Sequence, residues 1–492
     1  MRNARYMYGK VQHMKTLLLG TAVGLLAAPA VAGPVLESML ASNAGWSAAE
    51  SDISEGSETY TDLVITQDGA RAAVLERLTL DESGGIIAID AGGAVLDPDK
   101  DTSMTFDALT ARVDRDGLAT AGRWLTENSD MLMSDGPLVA EACEKLDAPI
   151  TASMHGLTIA RPGNGSLQAE NVSASYDIAE PDGACLLDTS LDISGMGITS
   201  PDLDIFIASL RGDTLTPLMP QRTVDGAGTY YSKGGMNGLS LSMSGSQELR
   251  IGSISFESEA DSEGVSALAG TGYFELVEKL LEAGEAGRTP SLSGEDMSLP
   301  AIWNAMREVT VNSEFALRGL EITGSMAMAM TGSQTLSPGR TLDMTMTSGK
   351  DGPVVWANAD IRSPGLATLR VGLETVMQEM DPSLASAGPS AFMMAAPISV
   401  SELAIDIDDQ GLGEILAQET GIDVYARAVD ATAGMIGQAK AESLGDWLAT
   451  ARKDGAYLAA APDVPMPITQ VFTGVMGPWD SFGAAINATT EK

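Results

Sequence analysis

The chain has 492 residues, of which 44 % are hydrophobic and 5 % aromatic, so a sizeable core has to come from aliphatic side chains and 26 methionines. Its formal net charge is −38 at pH 7, and so acidic a surface repels nucleic acid and anionic lipid headgroups at long range. The length fits two or three domains or one large β-rich body, and the charge favours basic or neutral partners.

The first 32 residues hold four basic residues and no acidic one, and they end with Ala30-Val31-Ala32 after an apolar run. This pattern predicts a secretory signal peptide over residues 1–32 and an exported, periplasmic body over residues 33–492. The alternative is an uncleaved membrane anchor, although the run is short for a membrane span. Cleavage would leave 25 basic and 67 acidic residues, a net charge of −42, and no later segment long enough to cross a bilayer.

Two cysteines, Cys143 and Cys185, make up the thiol content of the chain. An even pair in an exported protein indicates a disulfide, which would close a loop of about 40 residues and contribute roughly 3–4 kcal/mol in the chain-entropy model. The alternative is two buried thiols. Because neither cysteine lies in a C-x-x-C motif, redox catalysis is not expected.

Strand-like alternation dominates the first half of the body. Predicted strands, separated by Gly, Asp and Pro turns, cover residues 60–67, 71–80, 85–90 and 103–113. After a helical region that ends near residue 145, alternation resumes over residues 150–198, 203–210 and 226–258. Subdivisions of the body are expected near residue 145 and at a polar linker, residues 288–298.

Helical periodicity predicts helices at residues 35–46, 265–285, 299–307, 366–380 and 412–450. In the segment 366–380, Leu366, Leu369 and Leu373 would share one apolar face. Residues 457–471 contain three prolines, which predicts an edge strand or an irregular segment. Blocks of antiparallel strands followed by helices predict an α+β fold, a large twisted antiparallel sheet with helices packed on one face.

A strand-turn-helix unit recurs along the chain. Its turn glycines, Gly117, Gly264 and Gly411, are 147 residues apart, and each follows an aspartate by three positions, namely Asp114, Asp261 and Asp408. The spacing indicates an internal repeat. The aspartates are expected to accept hydrogen bonds from turn amides.

Motifs for catalysis are missing from the sequence. The run Asp406-x-Asp408-x-Gln410-Gly411 resembles the front half of a calcium loop, but Ala417 occupies the position of the bidentate glutamate. His155 is the single histidine after the signal segment, and there is no G-x-S-x-G elbow, P-loop or G-x-G-x-x-G motif. Carboxylate-only catalysis stays open. The prediction is a non-enzymatic protein without metal or cofactor.

The methionine-rich hairpin is the feature that most suggests binding. Six apolar residues alternate with small or polar ones on either side of a Ser-Pro-Gly-Arg turn: Met326, Met328, Met330, Leu342, Met344 and Met346. Methionine adapts to apolar ligands of variable shape, so these residues are a candidate ligand face. An ordinary sheet core under a helix requires the same alternation, and the sequence does not separate the two.

The segment 398–485, with VSELAIDIDDQGLGEIL and YLAAAPDVPMPITQV, resembles the C-terminal pattern of large exported Gram-negative proteins. It looks like domain of unknown function family 2125, and more distantly it is similar to YdgA-like and AsmA-like proteins. The resemblance implies an elongated β-rich periplasmic body, and for the AsmA-like relatives an apolar groove used in lipid handling. The chain departs from these relatives in lacking a retained membrane anchor.

Two functions are therefore considered. The first is a soluble periplasmic protein that binds or carries lipid or another hydrophobic ligand in the cell envelope. The alternative is a structural or interaction protein of the envelope, with an envelope protein as partner and a fully packed sheet without ligand. The shape of the sheet's apolar face, open or closed, discriminates between them.

Overall fold

The computed structural model describes residues 34–39, 44–67, 69–96, 98, 102–114, 150–161, 163, 165–179, 186–217, 229–243, 246–269, 271, 273, 299–323, 341–380, 397–420, 423–452, 454–468, 470–471 and 489–490. The predicted signal peptide, the Cys143–Cys185 pair, Gly117 and the first half of the methionine hairpin lie outside these residues. So do the expected subdivisions near residue 145 and at 288–298. All of these stay predictions.

Antiparallel strands make up most of the described chain, with a smaller helical content. The strands are β1 (Ala44–Ser47), β2 (Glu50–Ser54), β3 (Ser57–Gln67), β4 (Ala70–Ser83), β5 (Ile86–Leu96), β6 (Ser103–Asp114), β7 (Ile150–Arg161), β8 (Gly165–Ala179), β9 (Leu186–Ser200), β10 (Leu203–Pro217), β11 (Thr229–Met243), β12 (Ser246–Asp261), β13 (Val311–Ile322), β14 (Leu342–Asp351), β15 (Val354–Ser363), β16 (Ala367–Met377), β17 (Ile398–Asp409), β18 (Ala456–Ala460) and β19 (Met466–Pro467). The helices are α1 (Pro34–Met39), α2 (Ser262–Ala269), α3 (Leu299–Glu308), α4 (Leu412–Thr420), α5 (Val424–Ile436) and α6 (Gln438–Thr450).

The chain divides into two compact units. The N-terminal unit comprises residues 1–181, 185–219 and 243–245, and therefore holds β1 to β10. The C-terminal unit comprises residues 182–184, 220–242 and 246–492, and holds nearly all of β11 and the elements after it.

The sheet of the N-terminal unit is an antiparallel meander. Each strand from β3 to β10 pairs with the next one along the chain, and β1 and β2 pair with successive halves of the outer edge of β3. Short connections favour this arrangement, because neighbours in sequence can pair without a crossover. The predicted antiparallel sheet is confirmed.

One face of the N-terminal sheet is apolar and buried. Tyr60, Leu63 and Leu80 are 0 % exposed, and Leu75 and Ile87 are 1 % exposed. Alternation places these side chains on one side of the strands, where burial of each large apolar group contributes about 1.5–3 kcal/mol. This face is a closed hydrophobic core.

A buried carboxylate anchors α1 to this core. Glu58 of β3 is 1 % exposed and accepts hydrogen bonds from the amides of Val35 (2.7 Å) and Leu36 (2.9 Å) and from the Tyr60 hydroxyl (3.0 Å). The first amides of a helix have no partners within the helix, so a carboxylate there satisfies them. Three donors therefore satisfy the oxygens of this buried side chain.

A line of distorted positions crosses the N-terminal sheet, and we call it the distortion line. On alternate strands it has residues with positive φ, namely Asp62 (50°), Gly93 (56°), Gly156 (68°) and Gly195 (60°). On the strands between, an acidic side chain lies over the neighbouring glycine: Glu76 over Gly93, Asp107 over Gly156 and Glu170 over Gly195. The strand register is the same on both sides of the line, as in the pairs Thr61–Arg77 and Leu63–Leu75, but two successive residues of each of these strands are exposed there. The alternation of buried residues therefore reverses in both paired strands at once, and the apolar side stays buried on both sides of the line.

The sheet of the C-terminal unit is a second antiparallel meander. Strands β12 to β17 pair in chain order, and β18 and β19 pair with successive parts of the far edge of β17. Ala459 of β18 also forms an isolated bridge with Thr489. The predicted strand at 457–471 is therefore two short strands beside β17, interrupted around its prolines.

Residues 366–380 are a strand and not the predicted amphipathic helix. Ala367–Met377 forms β16, which pairs with β15 on one side and β17 on the other. Leu366, Leu369 and Leu373 fit a helical period, but Leu369, Val371 and Leu373 also alternate, and two flanking strands satisfy the backbone of an extended chain. The segment fits both the helical period and the strand period, and its pairing with β15 and β17 makes it a strand.

Other helix predictions are corrected in their bounds. The predicted helix 35–46 is the short α1, followed by the strand β1. The segment 412–450 is helical as predicted and contains α4, α5 and α6. Packing of helices on one face of the sheet and the internal repeat both stay predictions. Within the described residues, no helix has the length and apolar character needed to cross a membrane.

Candidate functional site

The sheet of the C-terminal unit has one continuous apolar side, which we call the apolar face. Register across the strands aligns its side chains in two long rows. One row is Phe256, Phe315, Met346, Ala359, Val371, Ile405 and Leu458, and the next is Ile254, Leu317, Met344, Ile361, Leu369, Ile407 and Ala456. Each row crosses seven strands, a width of about 29 Å at the usual strand spacing.

The apolar face is only partly covered. Met346 is 48 % exposed, Phe256 46 % and Leu373 39 %, and the remaining large side chains of the two rows are partly buried. Single exposed apolar residues are common on protein surfaces, but a contiguous set of them usually marks a binding surface. The three exposed residues lie on alternate strands of one sheet face, β12, β14 and β16, with Leu373 two residues beyond Val371 along β16.

The opposite side of the same strands is polar and carries linked ion pairs. Arg370 lies 3.1 Å from Asp406 and 3.5 Å from Asp360, and Asp360 also pairs with Arg362. The hydrogen bond from Arg362, followed by the charges of both arginines, lowers the pKa of Asp360 below its usual value. The sheet is therefore amphipathic, with solvated charges on one side and the apolar face on the other.

Helix α3 packs at one end of the apolar face. Trp303 is buried against Met377 and Met380, with Val355 and Ile398 beside them, and its indole N–H donates to the carbonyl of Gln378 at 2.9 Å. This end of the face is closed by the helix, whereas the rows around Met346 are not fully covered.

A lysine lies on the strand that carries Met346, at the same end as α3. Lys350 donates from its Nζ to the carbonyls of Val309 (2.6 Å) and Gly352 (2.7 Å), and burial lowers its pKa below the usual value. The carbonyl of Val309 directly follows α3, so the ammonium group satisfies backbone acceptors near a helix C-terminus. Its role here is to hold α3 against β14.

The structure places half of the predicted ligand residues on this face. Leu342, Met344 and Met346 all lie on the apolar side of β14, with Met346 the most exposed. Met326, Met328 and Met330 lie outside the described residues. Sequence reasoning missed Phe256, Phe315 and the neighbours of Met346 on other strands, because a row across a sheet appears only when strand pairing is known.

Of the predicted turn aspartates, Asp261 ends β12 and accepts hydrogen bonds from two backbone amides. Its Oδ2 accepts from Gly264 at 2.6 Å, and its Oδ1 accepts from Thr310. Gly264 lies in the first turn of α2 and not in a separate turn. The carboxylate thus caps α2 and fixes the start of β13.

At the end of β17, the capping residue is Asp409 and not its neighbour Asp408. Asp409 is 5 % exposed and accepts from the amides of Gly411 (3.0 Å) and Gly413 (3.1 Å) and from the Tyr425 hydroxyl (2.7 Å). Burial alone would raise the pKa of Asp409, but these hydrogen bonds outweigh it and lower the pKa.

Two further residues support this capping group. Arg452 stacks on the Tyr425 ring at 4.5 Å and pairs with Asp423 at 3.0 Å.

The two other predicted turn aspartates lie at or next to the end of a strand. Asp408 accepts a hydrogen bond from the Gln410 side chain. Asp114, the first of the three predicted aspartates, ends β6.

Groups with catalytic potential are dispersed. Across the described part of the chain there is no cluster of three or more His, Cys, Asp or Glu side chains able to hold a metal ion. His155 lies on the exposed side of β7, where its Nδ1 is 3.0 Å from the Asn171 side-chain oxygen, and Asn171 in turn donates to the Ser194 hydroxyl. A histidine that activates a hydroxyl contacts it directly, and here an amide lies between them.

The apolar face is thus the arrangement in the described chain best suited to hold another molecule. Comparison of the chain with protein-family models, with curated proteins and with solved structures finds no match in any of the three.

Proposed function

We propose that the protein is an exported, non-enzymatic binding or carrier protein of the cell envelope, and that its apolar face holds lipid or another hydrophobic ligand. The observation that carries this proposal is the exposure of Phe256, Met346 and Leu373 within one sheet face that crosses seven strands. The predicted signal peptide supports an envelope location. The resemblance to AsmA-like proteins supports a lipid as ligand.

The energetics of such a ligand follow from its contact area. An acyl chain lying on the face buries one side, so each CH₂ would contribute about half of the 0.8 kcal/mol expected for full burial. Sixteen carbons would then contribute up to about 6 kcal/mol, which corresponds to a dissociation constant of roughly tens of micromolar. The strongly acidic chain disfavours anionic headgroups, so neutral or zwitterionic lipids are the preferred class.

The test uses a fluorescent monoacylglycerol, whose headgroup is neutral, and lipid extraction of the purified full chain. The double substitution Phe256→Gln and Met346→Gln is expected to weaken binding of this lipid probe at least tenfold, because it removes two large apolar contacts. The matched control is Phe206→Gln, since Phe206 is 49 % exposed but lies in the N-terminal unit. Equal binding by both variants, or no bound lipid and no binding by the unaltered chain, would contradict the proposal.

The second candidate function, an envelope structural or interaction protein with a packed sheet, is favoured by the fully buried apolar side of the N-terminal sheet. It requires that the apolar face be covered in solution as well. Oxidation by dilute peroxide discriminates, because methionine oxidation follows exposure. An open face predicts that Met346 forms sulfoxide much faster than Met377, which is 6 % exposed. Equal protection of the two methionines would favour the packed alternative.

A further inference from the structure

The polar side of the N-terminal sheet contains an open depression of about 530 Å³, which we call the cavity, and its lining residues Asp90, Thr110, Arg112 and Ser153 are exposed to solvent. It extends across β4 to β9 and is lined by small and charged side chains. One transverse row in it, aligned by strand register, consists of Asp90, Thr110, Ser153 and Ser173. Its volume lies in the range of ordinary ligand sites.

The cavity contains hydrogen-bonding groups that no described residue satisfies. The guanidinium group of Arg112 makes no ion pair or hydrogen bond with any residue in the described part of the chain, whereas Arg77 pairs with Asp90 at 2.9 Å and Arg211 pairs with Asp192 at 2.7 Å.

The hydroxyls of Thr110, Ser153 and Ser173 also have no side-chain hydrogen bond to a described residue. The Thr151 hydroxyl is likewise without a described side-chain partner, so the described lining offers one free cationic donor and four free hydroxyls on neighbouring strands. These lie about 4.8 Å apart from strand to strand.

The charges in the cavity limit what can bind there. Asp81 and Asp90 lie at the β4–β5 side and can only accept hydrogen bonds, while Arg112 can only donate them. An anion would meet two carboxylates and a chain of net charge −38, and a cation would meet the guanidinium group. A neutral group that both donates and accepts, a hydroxyl, suits all of them.

We propose that this cavity binds a neutral, hydroxyl-rich ligand, a segment of an oligosaccharide. Its hydroxyls donate to Asp81 and Asp90, accept from Arg112, and exchange hydrogen bonds with Thr110 and Ser153. No aromatic side chain is among the described lining residues, so stacking on a sugar ring does not contribute. Affinity then comes from a few polar contacts, and the dissociation constant is expected in the millimolar range.

The experiment titrates the full chain with the neutral tetramer of N-acetylglucosamine and follows binding by saturation-transfer NMR. The unaltered chain is expected to bind saturably. Arg112→Met and the double variant Ser153→Ala with Ser173→Ala should each weaken binding about fivefold or more, since each removes contacts made to the ligand. Arg161→Met is the matched control, because Arg161 is an exposed arginine of β7 outside the cavity lining, and it should bind as the unaltered chain does.

Three results would overturn the inference: no saturable binding of the tetramer, equal binding by the cavity variants and the control, or binding restricted to an acidic oligosaccharide. Binding of the fluorescent monoacylglycerol is measured on the same variants. Because Arg112 belongs to the N-terminal unit, Arg112→Met should bind this lipid probe as the unaltered chain does, which keeps failure of this proposal distinct from failure of the lipid proposal.

Discussion

The N-terminal and C-terminal sheets share one alternating pattern, yet their apolar sides lie in different environments. Leu63 and Leu80 of the first sheet are completely buried, while Phe256 and Met346 of the second are almost half exposed. Strand alternation alone therefore determines which side of a sheet is apolar, and not whether that side is covered. A closed core and a binding surface can arise from the same periodicity, and the difference lies in what packs against the sheet.

The largest effect that tests this contrast comes from shortening one leucine in each sheet. Leu63→Ala should lower the free energy of unfolding of the N-terminal unit by about 2–5 kcal/mol, because it leaves a cavity in a closed core. Leu373→Ala should cost less than about 1 kcal/mol, since the side chain is already 39 % exposed. Denaturant titration followed by hydrogen exchange resolves the two units. Comparable losses at both positions would mean that the apolar face is closed in solution.

A second substitution acts on the C-terminal unit alone. Asp409→Asn should lower its stability by about 1–3 kcal/mol, because charge-assisted hydrogen bonds to Gly411, Gly413 and Tyr425 are weakened. The N-terminal unit should show unchanged hydrogen exchange, and slower or equal exchange around α4 in the variant would contradict the capping role.

The same carboxylate predicts a dependence on pH. Since the folded-state pKa of Asp409 lies below its ordinary value, its contribution is fully present above the unfolded-state pKa and is lost as the pH falls through the folded-state pKa. Stability of the C-terminal unit should therefore decline in acid below about pH 4. The decline should be shallower in Asp409→Asn than in the unaltered chain, as measured by denaturant titration across this range.

A smaller destabilisation than at Leu63 is expected at the distortion line of the N-terminal unit. Gly156→Ala should cost about 1–2 kcal/mol, because φ is +68° and an added Cβ would meet the carboxylate of Asp107. Gly197→Ala is the control, since nothing lies within 4 Å of its Cβ position and its φ is not in the left-handed region. Equal melting temperatures for the two variants would show that a side chain does not strain the backbone at Gly156.

Sequence alone located many strands but not their mutual arrangement. The predicted strands at residues 60–67, 71–80 and 103–113 correspond to β3, β4 and β6, because each is a long run of clear alternation. The segment 366–380 was assigned to the wrong element because its leucines fit both periods. The distortion line could not be recognised, since the alignment of Gly93, Gly156 and Gly195 across the sheet appears only once strand register is known.

In the candidate site, too, the sequence predicts what lies within one strand and not what depends on strand pairing. Leu342, Met344 and Met346 were predicted as one face and lie on one face, because alternation within a strand is a local property. Their neighbours Phe315 and Ala359 come from other strands and follow from pairing. At the end of β17, the spacing to Gly411 indicated Asp408, but the direction of the side chains at the strand end gives the capping role to Asp409. A one-residue shift of this kind depends on strand pleat and not on composition.

If the predicted signal peptide is cleaved, the contact between Glu58 and α1 constrains the order of cleavage and folding. The anchored amides of Val35 and Leu36 come three and four residues after Ala32, where cleavage is predicted. A peptidase needs its substrate in an extended form, and a helix already docked on β3 would withhold the residues beside the scissile bond. Removal of the predicted leader would then have to precede closure of the first sheet, so the N-terminal unit would complete its folding only after cleavage.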